Sequence, residues 1–532
     1  MPLNFYTTTH KTGEDNVKLL GLDVHNPVFF MAAILVITFI GFTLIFPDSA
    51  SSALFAAREW VLQTFDWLFV SAANIVFLFA LFIMLSPLGR LRIGGRDAKP
   101  DFSTPSWLAM LFSAGIGIGL MFWGAAEPLA YYTDWAGTPL GVEPGTKAAH
   151  DLALSATMFH WGLNAWSIYA ILGLALAYFT FSKGLPLTVR SAFYPLLGER
   201  IWGWPGHLID LLAVIATLFG LATSLGLGAQ QISSGLNYLF GIESGIFLQV
   251  GIITFITGIA IISVVRGLDG GVKVLSNINM VMAGLFLLFV FAVGPTLVIA
   301  SGFFTNAVNY ARDFLPLSNW MGREDTAWFH DWTIFYWAWW ISWSPFVGMF
   351  IARVSKGRTI RQFLSAVIFV PLIITIVWFT TFGEIALLQN ENGIGELANG
   401  VDEVSLVLFH MLEQLPLASI MSFVAIILVL IFFVTSSDSG SLVVDSITAG
   451  GKLHAPVPQR IFWASIEGLI AIVLLYGGGA QALQALQAGT IAVGLPFTIV
   501  LLVCCFSLWK GLSADSRDLR EIEREESFAA KA

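Results

Sequence analysis

Charged residues are scarce in this chain: 11% of its 532 residues are Asp, Glu, Lys or Arg, whereas 57% are hydrophobic. Soluble domains carry roughly 25% charged residues, so this composition and a mean hydropathy of +0.79 exclude an ordinary soluble protein. The chain also lacks a cluster of basic residues, and its net charge of −9 is spread over loops and tails. We therefore expect a polytopic membrane protein with no nucleic acid partner.

Catalytic and metal-binding motifs are missing as well. The sequence contains neither HExxH nor GxSxG, and its 8 histidines are scattered. Its 2 cysteines, Cys504 and Cys505, are adjacent in an apolar run, where they offer neither a metal site nor an ordinary disulfide. These absences argue against an enzyme and against a bound cofactor.

Long apolar runs are what the chain has instead. A window of about 20 residues, the length that crosses a bilayer, finds twelve candidate spans. The first 26 residues are polar, so the first apolar run begins too far from the N-terminus, and is too long, to be a cleaved signal peptide. We expect it to be retained as a membrane span. The spans lie near residues 27–46, 64–87, 105–131, 153–181, 208–232, 244–265, 276–303, 331–352, 361–383, 417–447, 458–477 and 482–509.

The basic residues predict the orientation of these spans. With both termini placed in the cytoplasm, 22 of the 26 Lys and Arg residues fall in cytoplasmic segments. Cytoplasmic loops of membrane proteins carry this excess of positive charge. The sequence therefore predicts an even number of spans with both termini cytoplasmic.

The third span contains an unusual glycine pattern, SAGIGIG, from Ser113 to Gly119. A small-xxx-small packing face accounts for Gly115 and Gly119, but Gly117 points away from them. Each glycine weakens a helix by about 1 kcal/mol relative to alanine. We predict a locally unwound segment, which survives at membrane depth only where it lines a cavity or is buried in protein. The packing face is the alternative.

The eighth span contains FYWAWWISWSPF, residues 335–346, in which most rings fall within an arc of about 120° at 100° per residue. Trp337 lies outside that arc. Aromatic residues that anchor a helix at the membrane surface form a short belt, whereas this stripe extends about 16 Å along the helix axis. We therefore expect the stripe to face a cavity. Packing in the protein core is the alternative. Pro345 adds a second irregularity, because it frees the carbonyl of Ile341 from the helix.

The fourth span carries a matching aromatic face made of Trp161, Trp166 and Tyr169. Two such faces can enclose a box of rings, which selects a poorly hydrated cation such as a methylated ammonium or sulfonium through cation–π attraction of up to about 2 kcal/mol per ring. Such a box needs no acidic residue. It therefore suits a zwitterion, whose carboxylate can take backbone N–H groups from the glycine stretch.

These residues carry a family resemblance. The glycine stretch followed by Glu127-Pro128, the Trp-rich fourth span and the string FYWAWWISWSPFVGMFIARVSKGRT resemble the betaine/choline/carnitine transporter family over about residues 26–510. The resemblance implies an all-α fold of twelve transmembrane helices, in which two leading helices precede two inverted five-helix repeats of the LeuT-like kind. It also implies a homotrimer and alternating access. The two irregular spans then begin the two repeats, where a midplane site is expected.

The implied segments follow the predicted spans. They are a cytoplasmic N-terminal tail at 1–26, two leading helices at 27–104, a first repeat at 105–303, a periplasmic connection at 304–330, a second repeat at 331–509 and a short charged cytoplasmic tail at 510–532. Because both tails are short, constitutive uptake is favoured over stress-activated gating.

The resemblance also assigns substrate-binding residues. It implies an aromatic box formed by Trp161, Trp166, Tyr169 and Trp340. It places Trp339, Trp343 and Phe335 along the transport path below the box. The substrate's carboxylate end is expected at Gly115, Ile116, Gly117 and Gly119.

Sodium is the implied coupling ion. Thr435 and Ser436 would supply hydroxyls, and Ser113, Ile116 and Phe432 would supply backbone carbonyls. Oxygen-only ligation suits a hard cation. The alternative for each hydroxyl is a hydrogen bond to its own helix. A second sodium site near Thr217 and Phe346 is weakened, because Leu221 stands where the family has a threonine.

Charged residues inside the spans are few. Asp438 and Glu127 are functional candidates because ionisable residues inside a membrane span usually have a function. The alternative is that they cap the ends of a broken helix. His160, next to Trp161, is interpreted as a packing residue rather than a proton carrier.

The sequence therefore predicts a plasma-membrane importer of a methylated-onium zwitterion, such as glycine betaine or dimethylsulfoniopropionate, coupled to sodium. Proton-coupled choline uptake and sodium-independent carnitine/betaine exchange are alternatives, and a non-transporting onium receptor is the alternative of another class. A channel is disfavoured because the apolar spans offer no continuous polar pathway.

Overall fold

A computed structural model describes residues 5–115, 117–266, 272–452 and 455–529, and nearly all of them are helical. In chain order the helices are α1 (Val28–Ile45), α2 (Pro47–Leu85), α3 (Thr104–Gly115), α4 (Ile118–Tyr132), α5 (Lys147–Trp161), α6 (Leu163–Ala177), α7 (Tyr194–Leu197), α8 (Trp204–Phe240), α9 (Ile246–Arg266), α10 (Val272–Val293), α11 (Thr296–Ser318), α12 (Thr326–Trp328), α13 (Phe335–Val354), α14 (Ile360–Glu391), α15 (Val407–Glu413), α16 (Ala418–Thr448), α17 (Val457–Gly478) and α18 (Ala482–Ala529).

Among the described residues, one element departs from the predicted all-α fold. The N-terminal tail forms an antiparallel hairpin of β1 (Asn16–Leu19) and β2 (Leu22–His25). The side-chain amide of Asn16 donates to the carbonyl of Ala449 at 3.0 Å, which ties the hairpin to the end of α16. Sequence patterns do not indicate this contact, because the two residues are more than 400 positions apart.

Ten helical segments of the described chain are long and apolar enough to cross a membrane. The predicted spans at 105–131 and 331–352 are not among them. The first is divided into α3 and α4, of 12 and 15 residues, each too short to cross alone. The second is α13, whose indoles and hydroxyls are less hydrophobic than the aliphatic residues of the other spans. The chain is thus a helical multi-pass membrane protein, although these ten segments do not reproduce a count of twelve.

The third span is interrupted at the glycine stretch, as the sequence predicts. Helix α3 ends at Gly115 and α4 begins at Ile118, while Gly117 between them is extended, with φ −138° and ψ −155°. Ile116 and the side chain of Ser113 lie outside the described residues. The break points the N-terminus of α4 into the protein interior.

The fourth span is also broken, which the sequence did not predict. Gly162 separates α5 from α6 with φ −106° and ψ −130°, and a β-carbon on it would lie 2.4 Å from the carbonyl oxygen of Met158. The hydroxyl of Tyr310 accepts the backbone N–H of Leu163 at 3.1 Å and so caps the start of α6. Because that cap comes from α11, the local pattern of aromatic residues could not reveal it.

The eighth span remains helical through Pro345. The carbonyl of Ile341, which the proline leaves without its helical partner, accepts the hydroxyl of Ser344 at 2.7 Å. Replacing the lost hydrogen bond removes the reason for unwinding. The expected irregularity lies instead in a π-helical turn, Phe329–Ile334, directly before α13.

Helices α6 and α13 approach each other closely through two glycines. A β-carbon on Gly348 would lie 3.1 Å from the backbone nitrogen of Gly173. Only small residues allow two helix backbones to come this near. The contact brings the aromatic faces of both helices together on one side of their crossing.

Candidate substrate-binding site

A small cavity lies where α4, α6, α8 and α13 meet the end of α5. Aromatic rings make up most of the wall, and two glycines and one serine complete it. The lining residues are Gly117, Gly119, Trp161, Tyr169, Ser224, Trp339, Trp340 and Trp343.

The rings around this cavity stand at angles to one another. The ring centroids of Trp340 and Tyr169 are 5.0 Å apart, and those of Trp340 and Trp161 are 5.4 Å apart with planes at 84°. Trp339 lies 6.0 Å from Trp161 and 6.4 Å from Trp343. Such edge-to-face packing leaves ring faces available to the space between them.

Seven of the predicted substrate residues line this one cavity: Gly117, Gly119, Trp161, Tyr169, Trp339, Trp340 and Trp343. Their binding role is still a prediction. The aromatic stripe of α13 is buried in protein, since Trp339, Trp340 and Trp343 are at most 7% exposed. A membrane-interface anchor is therefore excluded for it.

Two other predicted residues lie one layer behind the lining. Trp166 is 6.0 Å from the Trp340 ring and 5.6 Å from the Tyr169 ring, and its indole N–H donates to the carbonyl of Trp161 at 3.2 Å. Phe335 stacks on Trp339 at 5.4 Å with an interplanar angle of 16°. Both support lining rings rather than forming the wall. Gly115 ends α3, and Ile116 is outside the described residues.

Ser224 on α8 lines the cavity although the sequence did not single it out. Its hydroxyl accepts the indole N–H of Trp339 at 3.2 Å and therefore fixes that ring. A single serine in an apolar helix gives no signal of this role. It becomes visible only once α8 packs against α13.

The N-terminus of α4 forms the non-aromatic part of the wall. Gly117 and Gly119 flank the first residue of that helix, so its free N–H groups and the positive end of its dipole are directed toward the cavity. Gly119 must be glycine for the ring of Trp161 to lie where it does, because a β-carbon would come within 2.4 Å of Cη2. This side of the cavity can receive an anionic group.

Two lining indoles offer further donors. The Nε1 atoms of Trp340 and Trp343 are buried and have no hydrogen-bond partner among the described residues. Buried N–H groups are rarely left unpaired in native proteins. Both N–H groups therefore lack an acceptor among the described residues.

A buried carboxylate lies directly behind the wall, although the described cavity lining itself contains no acidic residue, as the aromatic box requires. Glu127 on α4 is fully buried. Its Oε2 accepts the indole N–H of Trp161 at 2.8 Å and the hydroxyl of Tyr336, while its Oε1 accepts the hydroxyl of Tyr131 at 2.8 Å. Nδ1 of His160 lies 3.0 Å from Oε1. We call these five residues the Glu127 network.

The remaining intramembrane candidate, Asp438 on α16, is 1% exposed and does not line the cavity. One of its oxygens accepts the hydroxyl of Ser263 on α9. The other has no hydrogen-bond partner among the described residues.

One of the predicted sodium ligands on α16, Ser436, lies beside the break between α3 and α4. The hydroxyl of Ser436 lies 3.7 Å from where a β-carbon of Gly117 would stand. The hydroxyl of Thr435 donates to the carbonyls of Ile431 and Phe432 at 2.9 and 3.1 Å, which is the alternative role named above. Donating leaves the oxygen lone pairs of Thr435 available to a cation. The oxygen donors on α16 suit sodium, and the site stays a prediction.

The residues of the second predicted sodium site make other contacts within the described part of the chain, and this site also stays a prediction. The hydroxyl of Thr217 donates to the carbonyl of Ala213 at 2.7 Å, and Leu221 packs against Gly440. Phe346 is buried beside Trp343 with ring centroids 5.5 Å apart.

Comparisons with known proteins give one consistent result. The chain is 57% identical to a glycine betaine/proline/choline/ectoine transporter of Vibrio parahaemolyticus over 96% of this chain and 91% of that protein. It is 56% identical to glycine betaine transporter 1 of the same species over 96% of this chain and 98% of that protein. A manganese transporter of Eremococcus coleocola is similar in structure with a TM-score of 0.44, 14% identity and coverage of 77% and 83%, which is too low to bear on the fold.

The sequence profile of the betaine/carnitine/choline family transporter matches residues 27–517, nearly the whole chain. The resemblance noted from the Trp-rich string is confirmed by this match. The chain therefore belongs to the betaine/carnitine/choline transporter family (BCCT) and is a transporter rather than an enzyme.

Proposed function

We propose that this protein is a secondary active transporter that imports a methylated-onium zwitterion, with glycine betaine as its principal substrate. One observation carries the proposal: indole and phenol rings surround one side of a cavity whose other side is a helix N-terminus. Each side matches one end of a betaine molecule. The named substrates of the two relatives, glycine betaine and choline among them, are consistent with it.

The aromatic side suits the cationic head. A trimethylammonium or dimethylsulfonium group is poorly hydrated, and a desolvated ring face attracts it by up to about 2 kcal/mol. The ring centroid of Trp340 lies 5.0 Å from that of Tyr169 and 5.4 Å from that of Trp161, so one head group can contact several of these rings.

The opposite side suits the carboxylate. Helix N-termini bind anions through free N–H groups, and discontinuous membrane helices use this arrangement for substrate carboxylates. The unpaired Nε1 donors of Trp340 and Trp343 add two neutral hydrogen-bond donors. Neutral donors orient a carboxylate without repelling the cationic head.

Sodium coupling, alternating access and trimeric assembly belong to the same proposal. The twelve-helix arrangement with two leading helices and two inverted five-helix repeats, and the plasma membrane with both termini cytoplasmic, complete it. The family resemblance supports these features, and the break at Gly117 beside Ser436 supports a sodium site between α3, α4 and α16.

The test is transport by the purified protein in proteoliposomes. We expect an inward sodium gradient to drive accumulation of radiolabelled glycine betaine, and an equal potassium gradient to give little. Counterflow of labelled betaine into vesicles preloaded with unlabelled betaine separates a carrier from a receptor, because a receptor binds but does not exchange. Absence of both accumulation and counterflow would contradict the proposal.

A further inference from the structure

We propose that Glu127 is the buried counter-charge of the cavity and acts through Trp161 as a specificity-determining residue, which sets the preference between cationic and zwitterionic quaternary ammonium compounds. This inference rests on the proposed function, since it concerns the same cavity. The ring-only interpretation of the site makes a different prediction. It implies that no acidic group influences the choice between a zwitterion and a cation.

The connection between Glu127 and the cavity is direct. Trp161 lines the cavity with its ring and donates its indole N–H to Oε2 of Glu127 at 2.8 Å. Only one indole ring therefore separates the carboxylate from the space where a ligand lies. A hydrogen bond to a carboxylate polarises the donor, and low-dielectric surroundings strengthen this effect. The ring face of Trp161 becomes more attractive to a cation.

The hydrogen-bonding partners of Glu127 fit an ionised carboxylate. An indole N–H can only donate, and the hydroxyls of Tyr131 and Tyr336 donate as well. An ionised carboxylate can accept all of these hydrogen bonds. A protonated acid would have to donate to Nδ1 of His160, since the other three partners already donate to Glu127.

The neighbouring imidazole leaves the network with a negative charge. With its proton on Nδ1, a neutral His160 donates to Glu127 and accepts the hydroxyl of Thr333 at Nε2, 3.0 Å away. The hydroxyl of Tyr131 also lies 3.0 Å from Nδ1. Arg323 is the nearby guanidinium, and it is engaged with Asp325 at 2.7 Å. The charge of Glu127 therefore acts on the cavity rather than on a buried partner cation.

Coulomb attraction then distinguishes two ligand classes. A cation such as choline feels the full attraction of the carboxylate. A zwitterion feels attraction at its head and repulsion at its carboxylate, so the two contributions partly cancel. Removing the charge must therefore weaken the binding of choline more than the binding of glycine betaine. An uncharged isostere of choline, 3,3-dimethyl-1-butanol, should not respond.

The experiment compares the dissociation constants of these three ligands, measured by tryptophan fluorescence in wild type and in Glu127→Gln. We expect Glu127→Gln to raise the dissociation constant of choline at least about 10-fold and that of betaine less than about 3-fold. The dissociation constant of the isostere should change by less than about 2-fold. The ratio of choline to betaine affinity is the decisive readout, because general damage to the site changes both affinities together.

Two matched variants complete the test. Glu127→Asp keeps the charge and should retain the wild-type ratio. Tyr131→Phe removes one hydrogen bond to Glu127 away from the cavity, and it should also leave the ratio unchanged although it weakens the network. An unchanged ratio in Glu127→Gln, with wild type binding both ligands, would overturn this inference alone. A wild type that binds neither ligand would overturn the proposed function as well.

If Glu127→Gln does not fold, wild type decides the question. A wild-type preference for choline over 3,3-dimethyl-1-butanol below about 10-fold would contradict a counter-charge one ring away. With a larger preference, Trp161→Phe decides, because it keeps a ring but removes the indole N–H that is bonded to Glu127. A fall in the ratio of choline to betaine affinity supports the inference, and an unchanged ratio contradicts it.

Discussion

Gly119 and Trp161 are in contact at the wall of the cavity, where a β-carbon on Gly119 would come within 2.4 Å of Cη2 of the indole. The same β-carbon would lie 3.1 Å from Cη2 of Trp339. Gly119→Ala must therefore displace rings that form the wall. We expect this variant to weaken glycine betaine binding at least about 10-fold and to lower the free energy of unfolding by about 1–3 kcal/mol, which overpacking typically costs.

Fluorescence titration and thermal melting of purified protein check this prediction. Gly251→Ala on α9 is the matched control, because no atom lies within 4 Å of its β-carbon position. It should bind betaine normally and be at least as stable as wild type, since alanine favours helix. Normal binding by Gly119→Ala would mean that the position of the Trp161 ring does not matter.

Trp340 contacts both aromatic groups of the fourth span, with ring centroids 5.0 Å from Tyr169 and 5.4 Å from Trp161. We expect Trp340→Phe to weaken betaine binding by about 10-fold and Trp340→Ala by about 100-fold, since cation–π attraction falls from Trp to Phe and is lost in Ala.

Trp337→Phe on the same helix is the control. Its ring packs on Phe159 at 5.1 Å, outside the cavity. Isothermal titration measures all three, and equal losses in Trp337→Phe and Trp340→Phe would refute the aromatic box.

Ser436 tests the proposed sodium site, because its hydroxyl faces Gly117 at the helix break. Ser436→Ala should raise the sodium concentration for half-maximal uptake at least about 10-fold, equivalent to about 1.4 kcal/mol. Ser441→Ala on the same helix removes a hydroxyl that only donates to the carbonyl of Asp438 at 2.9 Å, so it should leave sodium dependence unchanged. Uptake at a series of sodium concentrations in proteoliposomes provides the measurement. An unchanged sodium dependence in Ser436→Ala would remove this residue from the site.

The N-terminal hairpin should loosen in acid through His25. Burial, followed by the positive charge of Arg190 and the neighbouring His207, lowers the pKa of His25 to about 3. Asp210 is paired with Arg190, and Asp15 lies 3.7 Å from the ring without reversing the shift. Because the ordinary pKa is about 6.5, folding favours the neutral ring. The stabilisation is complete above pH 6.5 and is lost as the pH falls toward 3.

This difference corresponds to at most about 2 kcal/mol at pH 5. Hydrogen exchange of the backbone amides of residues 16–25, corrected for intrinsic rates, should therefore show weaker protection at pH 5 than at pH 7. His25→Gln cannot titrate, so protection in this variant should be the same at both pH values. Equal loss of protection in both proteins would assign the effect to other groups.

The aromatic part of the site could be predicted because helical periodicity depends only on sequence. Counting at 100° per residue placed Trp161 with Tyr169, and Trp340 with Trp343, on common faces, and all four line the cavity. The same count could not distinguish the rings that line the cavity from the rings that pack behind them. Trp166 and Phe335 share those faces, yet their rings support other rings.

The polar part of the site was harder to predict because its partners come from distant helices. Ser224 acts on Trp339 from α8, and Tyr310 caps α6 from α11. Glu127 was recognised as a charge inside a span, but its position behind Trp161 depends on the packing of α4 against α5 and α13. Nothing in the spacing of these residues encodes that packing.

The sequence alone determined that this protein lies in a membrane, and it predicted the chemistry of its site. Apolar runs require a bilayer, and rings concentrated on two spans favour a methylated cation, since both properties belong to side chains in order along the chain. Only the tertiary structure decided which rings face the cavity and where the helices break. It also decided that a carboxylate stands one ring away. Those properties depend on contacts between helices far apart in sequence, such as the close approach of Gly173 and Gly348.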